Sequence, residues 1–396
     1  MRVLVTSPVF PPDLGGPAVY VPSIGRFLVE RGHSVEVIAF CSDPAPAGYP
    51  FPVRAISRPR LLARYLEAFW LVLRRAGEAD VVYVQEHLAL LHVLAARLRR
   101  RPVVIRIMVD GAWEIAHRKG WCGDDDIVTF QGRAYGWRVR LTRALQRWWW
   151  GRSARIICCS DFLRGILVEH HGVPSDKALT IVNAYHGPRA SDVPEDRAGA
   201  RARLGVEALG IPRGARLVLT ICRLMVWKRV DNIIRALAEW PADVHLAVAG
   251  DGDMRAAWTE LATELGLAAR VHFLGNVPHR EIPLWIRAAD VFVLNSEYEG
   301  LSHTLLEVQA LGTPMIASGV CGNPEVVEDG VNGLLVDPRD PADLARAGQR
   351  LLDDPDLGRR FVAEGLARAG RFDRTARFSE VESVLAAASL RAGARP

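Results

Sequence analysis

At 396 residues the chain is longer than a single hydrophobic core usually grows, so two domains are expected. With 49% hydrophobic and 24% charged residues it has the make-up of a folded globular protein, which excludes the disordered and fibrous classes. The net charge of +5 hides a division: residues 1–190 carry 26 Lys and Arg against 16 Asp and Glu (26 − 16 = +10), the remainder 24 against 29 (24 − 29 = −5). A basic first half points to an anionic partner, whether a phosphate-bearing ligand, an anionic lipid or nucleic acid.

The opening MRVLVTSPVF reads as a buried strand and lacks the pattern of a signal peptide. RVLVTS is followed by a Pro/Gly loop, PVFPPDLGGPA, a helical stretch VYVPSIGRFLVERG, and the strand HSVEVIAF. Further strands read DVVYVQ (80–85), PVVIRIMV (102–109) and ARIICCS (154–160). Three Pro-punctuated segments, GYPFP, GVPSD and SDVPED, read as loops. No apolar run reaches the eighteen or so residues of a membrane span, and AFWLVL is cut off by Arg74 and Arg75. The segment RVRLTRALQRWWWGRSAR (138–155) could rest on an anionic membrane; a helix packing its tryptophans under the sheet, with snorkelling arginines, is favoured. Nucleic acid could use the same charges, but no recognition motif accompanies them, so none is expected. Six scattered cysteines show no metal spacing, and Cys158 and Cys159, adjacent in a strand, read as core thiols in a reducing cytosol.

The second half begins in the same way, with RLVLTIC (216–222), a short loop, the helix VDNIIRALAEW and the strand VHLAVAG (244–250). Strands RVHFLG (270–275), DVFVLN (290–295), TPMIAS (313–318) and GLLVD (333–337) follow. Alternation of this kind predicts parallel α/β architecture, here two Rossmann-like units joined around 195–216. Ligands of such sheets gather at the carboxyl ends of the strands.

Several residues stand at those ends. Of the 50 basic side chains only three are lysine (119, 177 and 228), and Lys228 follows Arg223 by five positions in a strand–helix loop. Such a pair can clamp a pyrophosphate, the arginine as a fork and the lysine as a point charge; a solvated surface pair is the alternative. In EGLSHTLLE, Glu299 can accept sugar hydroxyls and Glu307, eight residues on, can reach a ribose diol. Gly300, with Leu301 and Ser302 at the start of the following helix, allows close backbone approach and offers free N–H groups to an anion. Gly15 and Gly16 form a Cβ-free loop after the first strand, able to approach the same phosphate. GDGD (250–253) is no complete phosphate loop, and no GxGxxG follows either first strand, which argues against a nicotinamide enzyme. Glu86 and His87, after DVVYVQ, could line an acceptor pocket or cap a helix.

The GG loop, the R-x4-K pair, GDGD followed by VHFLGNV, E-x7-E, and the tail NPEVVEDGVNGLLVDPRDPADLA, in this order, resemble the GT-B glycosyltransferases of family 4, the retaining nucleotide-sugar-dependent group. The resemblance implies an α/β GT-B fold, two Rossmann-like domains whose parallel sheets face across a cleft. It implies that Arg223 and Lys228 hold the donor diphosphate, Glu307 the ribose, Glu299 the transferred sugar and Gly16 a phosphate oxygen. The nucleobase would lie near 275–277, with Asn276 and Val277. The last helix would cross back, giving an acceptor-side domain of 1–195 with 375–396 and a donor-side domain of 196–374. Cys222 stands where many members have glycine. Asp110, in VDGAWE, stands where many have histidine; it is a candidate for contacting donor sugar or acceptor, or a loop aspartate capping a turn.

A retaining hexosyltransferase is therefore expected, cytoplasmic or peripheral at the inner face of the membrane. Its donor would be a UDP- or GDP-sugar, and its acceptor hydroxyl would sit on a small molecule, glycan or lipid-linked molecule of cell-envelope or other glycoconjugate synthesis. The basic N-terminal half could touch an anionic membrane. No metal or cofactor is expected, because fixed cations and helix N–H groups can neutralise the leaving diphosphate. The alternatives are an epimerase-type or a non-catalytic nucleotide-sugar-binding protein of the same fold.

Overall fold

The computed structural model describes residues 1–13, 15–57, 61–85 and 89–393. Runs of Val, Ile and Leu bounded by Gly, Pro and Asp form two sheets, and every strand pair in them is parallel. The first sheet holds β1 (Arg2–Ser7), β2 (Ser34–Phe40), β3 (Val53–Ile56), β4 (Val81–Gln85), β5 (Val103–Ile107), β6 (Arg155–Cys158) and β7 (Ala178–Thr180), in the order β3-β2-β1-β4-β5-β6-β7. The second holds β8 (Arg216–Ile221), β9 (Val244–Ala249), β10 (Val271–Gly275), β11 (Val291–Leu294), β12 (Met315–Ser318) and β13 (Leu334–Val336), in the order β10-β9-β8-β11-β12-β13. Each sheet starts in its middle, winds outward on one side and then returns to the other. The order therefore switches direction between β1 and β4, and again between β8 and β11. At such a switch point neighbouring loops leave in opposite directions, and a crevice opens at the carboxyl ends of the strands.

The chain divides into two compact units. Tyr185–Asp373 is one; Met1–Ala184, together with the chain from Arg374 onward, is the other. In the latter the helix Gly16–Glu30 packs Val21, Ile24 and Leu28 against Val3, Val5 and Val37. The last helix, Arg374–Gly393, adds Phe378, Val381 and Leu385 to the same core. The Phe378 ring stands edge-on to Tyr20 at 5.8 Å and to Phe27 at 5.5 Å. The second unit buries Ile233, Ile234 and Leu237 of the helix Val230–Glu239 against Val218, Leu246 and Val293. Inner strands such as β4 and β9 are buried along their whole length, as helices on both faces of a parallel sheet require.

Two strands, β3 and β7, are absent from the sequence reading. β3 follows GYPFP, and β7 follows GVPSD. Both are short edge strands with partly exposed residues, so neither leaves a long apolar run. The helix Gly16–Glu30 also begins three residues before the predicted stretch, because Pro17 is accommodated in its first turn. Cys158 and Cys159 are fully buried and all six cysteines are free thiols. In the helix Trp137–Arg152 only the last of the three tryptophans, Trp150, is fully buried, edge-on to His171 at 4.9 Å. Trp148 is half-buried and covered by the Arg152 guanidinium at 4.5 Å. Among the described residues no helix is long and apolar enough to cross a membrane.

Candidate functional site

The loop after β8 carries Arg223 and Lys228, and the loop after β11 carries Glu299, so the two flank the switch crevice of the second sheet. The first of these loops is fixed mainly by backbone. Cys222 N donates to Ala249 O at 3.0 Å, Leu224 N to Asp251 O at 3.0 Å and Met254 N to Leu224 O at 3.0 Å. GDGD is thus the strip against which the arginine loop is laid. Gly250 has φ +130°, and a Cβ there would stand 1.9 Å from the Cys222 carbonyl oxygen; one at Gly252 would stand 2.5 Å from that of Leu224. Only glycine fits at either place.

Next the chain makes a short helical turn, Val226–Lys228, and Arg229 adopts a left-handed conformation with φ +46°. A non-glycine residue holds that conformation only when its surroundings impose it. Here Arg229 is gripped by Asp231 at 3.2 Å and by Glu297 at 2.8 Å, and Glu297 N donates to Trp227 O at 2.7 Å. The loops after β8 and β11 are therefore laced together. Across that seam Lys228 Nζ donates to Glu299 Oε1 at 2.5 Å, with both side chains largely buried. Ser296 Oγ donates to the same oxygen at 3.0 Å. Burial presses the Lys228 ammonium toward losing its proton, but Glu299 more than offsets this, and its pKa lies above the usual lysine value. Burial raises the neighbouring Cys222 thiol to about 11, so it is no thiolate at neutral pH. Arg223 is exposed and makes no ion pair among the described residues. Glu299 Oε2 and two of the three Lys228 N–H groups also remain available.

Gly300 and Leu301 are buried, and Ser302 caps the helix His303–Leu311 by accepting from Leu305 N at 3.3 Å. The first N–H groups of that helix are directed to the same carboxyl edge of the sheet. Close packing again fixes the turn: a Cβ on Gly322 would stand 1.9 Å from Gly300 O. Glu307, one and a half turns into the helix, has no hydrogen-bond partner among the described residues, and burial raises its carboxyl to about 7. Tyr185, whose phenol is pushed up by burial and by the Glu307 charge, lies beside it and donates to Pro188 O.

Two family models match the sequence, "Glycosyltransferase Family 4" over residues 14–186 and "Glycosyl transferases group 1" over 206–368. The chain belongs to the glycosyltransferases of family 4. The D-inositol 3-phosphate glycosyltransferase 1 of Catenulispora acidiphila is 29% identical, over 96% of this chain and 92% of that one. Among solved structures, Anabaena HepE in complex with UDP-glucose has a TM-score of 0.75 at 22% identity, covering 98% of this chain and 100% of its own. A sucrose-phosphate synthase from Thermosynechococcus elongatus has a TM-score of 0.79 at 21% identity, covering 97% and 98%. The fold of this glycosyltransferase is thus GT-B.

The remaining predicted residues of the glycosyltransferase stand on other elements. Gly15 and Gly16 are exposed at the start of the helix Gly16–Glu30, at the switch point of the first sheet. Glu86 and His87 lie outside the described residues. Asn276 and Val277 line a cavity of about 530 Å³ with His272, Leu274 and Trp285, and none of Lys228, Glu299 and Glu307 lines it.

Asp110 is wholly enclosed as the N-cap of the helix Gly111–Arg118. Its Oδ1 accepts from Ala112 N at 2.9 Å and Gln146 Nε2 at 2.8 Å, and its Oδ2 from Gln131 Nε2 at 2.8 Å, with His171 Nε2 at 3.1 Å. This is the turn-capping arrangement. Burial raises its pKa, but the bonds from His171, Gln146 and Gln131 outweigh that, and the carboxyl lies below its usual value. Sequence reasoning missed Ser296, Glu297, Arg229 and Tyr185; SEYEG directly after a strand was the available signal for the first two.

Replacing Gly250 by Ala should cost about 2 kcal/mol or more, from the left-handed φ and the blocked approach to Cys222. Urea denaturation should show the loss together with weaker nucleotide-sugar binding; an unchanged midpoint would contradict the backbone lock described above.

Proposed function

We propose that the protein is a retaining glycosyltransferase that moves a hexose from a nucleoside diphosphate sugar, UDP- or GDP-linked, to an acceptor hydroxyl on a small molecule, glycan or lipid-linked molecule. We also infer that its basic N-terminal unit meets an anionic membrane surface. The observation that carries the transferase reading is the Lys228–Glu299 pair at the β8–β11 switch point, in the second sheet whose neighbouring loops also carry Arg223 and the start of the helix His303–Leu311. A diphosphate there meets the Arg223 fork, the two free N–H groups of Lys228 and the amides at the start of the helix His303–Leu311. Glu299 Oε2 accepts a hydroxyl of the sugar and Glu307 the ribose diol. The UDP-glucose bound by HepE, a protein of the same fold, supports a uridine donor.

In this mechanism the bond from the anomeric carbon to the phosphate oxygen breaks as the acceptor oxygen arrives on the same face. The acceptor proton passes to the departing diphosphate oxygen. No separate base takes part, and configuration is retained. Asp110, with both oxygens occupied, is a positioning residue that fixes the turn after β5. Fixed cations carry the charge of the leaving group, so no metal is needed.

The deciding experiment is transfer from UDP-α-glucose with the product's anomeric coupling read by NMR, in the presence of excess EDTA. An α-linked product and undiminished turnover are expected. A β-linked product would overturn retention, and activity lost to EDTA and restored by Mg²⁺ would overturn metal independence.

Lys228→Ala should lower kcat/KM by on the order of thirtyfold or more, since truncating one member of a desolvated charge pair costs about 2–5 kcal/mol. Lys228→Arg should fall between the two. Wild-type kinetics in Lys228→Ala would remove the phosphate role.

The Glu307 carboxyl gives a pH signature. Free, it is protonated below about 7. Accepting two ribose hydroxyls favours the carboxylate, so binding lowers its pKa, and affinity should rise with pH up to about 7 and then level off. A nucleotide sugar has no terminal phosphate titrating in that range, unlike the free diphosphate. Calorimetry between about pH 5.5 and 8.5 should show this rise in wild type and a flat, weaker profile in Glu307→Gln.

A further inference from the structure

The first unit turns an apolar stripe outward. In the helix Leu61–Ala76, Leu62, Leu66 and Trp70 stand four residues apart and are 73%, 50% and 58% exposed, and Arg74 continues the row. A spacing of four puts them on one face, spanning about 12 Å. Beside this helix packs Ala89–Leu98, which presents Leu94 and Leu98, the latter 61% exposed. The carboxyl ends of the two helices are tied together, because Arg99 Nε donates to Leu73 O and Arg101 Nη2 to Gly77 O, both at 2.8 Å.

At those ends lies a cavity of about 780 Å³ lined by Arg97, Arg100, Arg101, Arg152, Arg155 and Lys177. Asp176 is the carboxylate in its lining. Crowding shows in Lys177, whose pKa is pushed down first by burial and then by Arg155. Cations collected around a single carboxylate, near the end of an exposed apolar stripe, suit an occupant that carries both apolar chains and anionic groups. A second copy of the same face would set cations against cations, in a half of the chain whose net charge is +10 (26 − 16).

We propose that the helices Leu61–Ala76 and Ala89–Leu98 lie on an anionic phospholipid bilayer. Leu62, Leu66 and Trp70 enter the interface and the arginine-lined cavity receives a lipid phosphate. This rests on the membrane clause of the reading above, and moves the contact away from the tryptophan run of 148–150 to a different pair of helices. Trp70 suits the boundary because its ring is apolar with one polar N–H. An amphipathic helix with basic residues at its edge binds such surfaces by area and charge together.

The test is flotation of the full chain with vesicles of phosphatidylcholine alone, or of phosphatidylcholine with about one third phosphatidylglycerol, while UDP-glucose binding is measured on the same samples. Wild type should float with the anionic vesicles, at least tenfold more than with neutral ones, and be released by about 0.5 M sodium chloride. Leu66→Glu with Trp70→Glu, and separately Arg97→Gln with Arg100→Gln, should each lower flotation about tenfold while melting temperature and UDP-glucose binding stay unchanged. Absence of flotation by a wild type that binds UDP-glucose would overturn the docking and leave the transferase reading standing. Flotation indifferent to the stripe variant but competed by millimolar inorganic phosphate would make the cavity a soluble-anion site and overturn the proposal. So would a dimer in solution that the stripe variant dissociates.

Discussion

The Lys228–Glu299 contact is the constraint around which the second unit is arranged. An ammonium and a carboxylate 2.5 Å apart, largely withdrawn from water, give little net stability, because removing two ions from solvent cancels much of their attraction. They nonetheless require the loops after β8 and β11 to hold one register. That register is imposed by Glu297 N on Trp227 O, by the Arg229–Glu297 bond and by Asn295 Nδ2 on Arg229 O at 3.5 Å. The pair sets charge in place before any ligand arrives, which is where preorganised electrostatics gains over water.

A second layer of the design is steric. Gly250, Gly252 and Gly322 are each faced by a carbonyl group of an adjacent loop, at distances no side chain allows. The backbone is therefore closely packed beneath the crevice, and the side chains that reach into it stand on short loops laced to one another and on the helix that follows. Electrostatics follows the same economy. The half of the chain bearing this site is net acidic, and at the crevice the Lys228 charge is matched by Glu299, so the positive end of the helix His303–Leu311 and the Arg223 guanidinium are what it offers an anion.

Much of this was legible in the residues. Lys228 stood out because almost every other cation is arginine, and the strand ends could be found from apolar runs alone, which placed Arg223, Glu299 and Glu307 near one edge. What could not be read was pairing across 71 positions: nothing in the spacing joins Lys228 to Glu299. Likewise the meaning of GDGD was hidden, since its partners are the carbonyls of Cys222 and Leu224 and carry no side-chain signature. Asp110 looked equally able to cap or to contact a ligand; the choice depended on Gln131, Gln146 and His171, which converge on it only in three dimensions. The edge strands β3 and β7 were missed because half-exposed edges have no reason to be uniformly apolar.

The path of the chain has a temporal consequence. Phe378, Val381 and Leu385 are core residues of the unit that begins at Met1, yet they are encoded after the whole of Tyr185–Asp373. On the ribosome, the apolar face formed by Val21, Ile24 and Phe27 must wait for them while the intervening 189 residues (373 − 185 + 1) are made. At about 5–20 residues per second that interval is on the order of 10–40 s. The first unit emerges early but is completed last, so its nascent form is a natural client for chaperones, and a truncated message would leave it without its closing helix however much of the second unit had been translated.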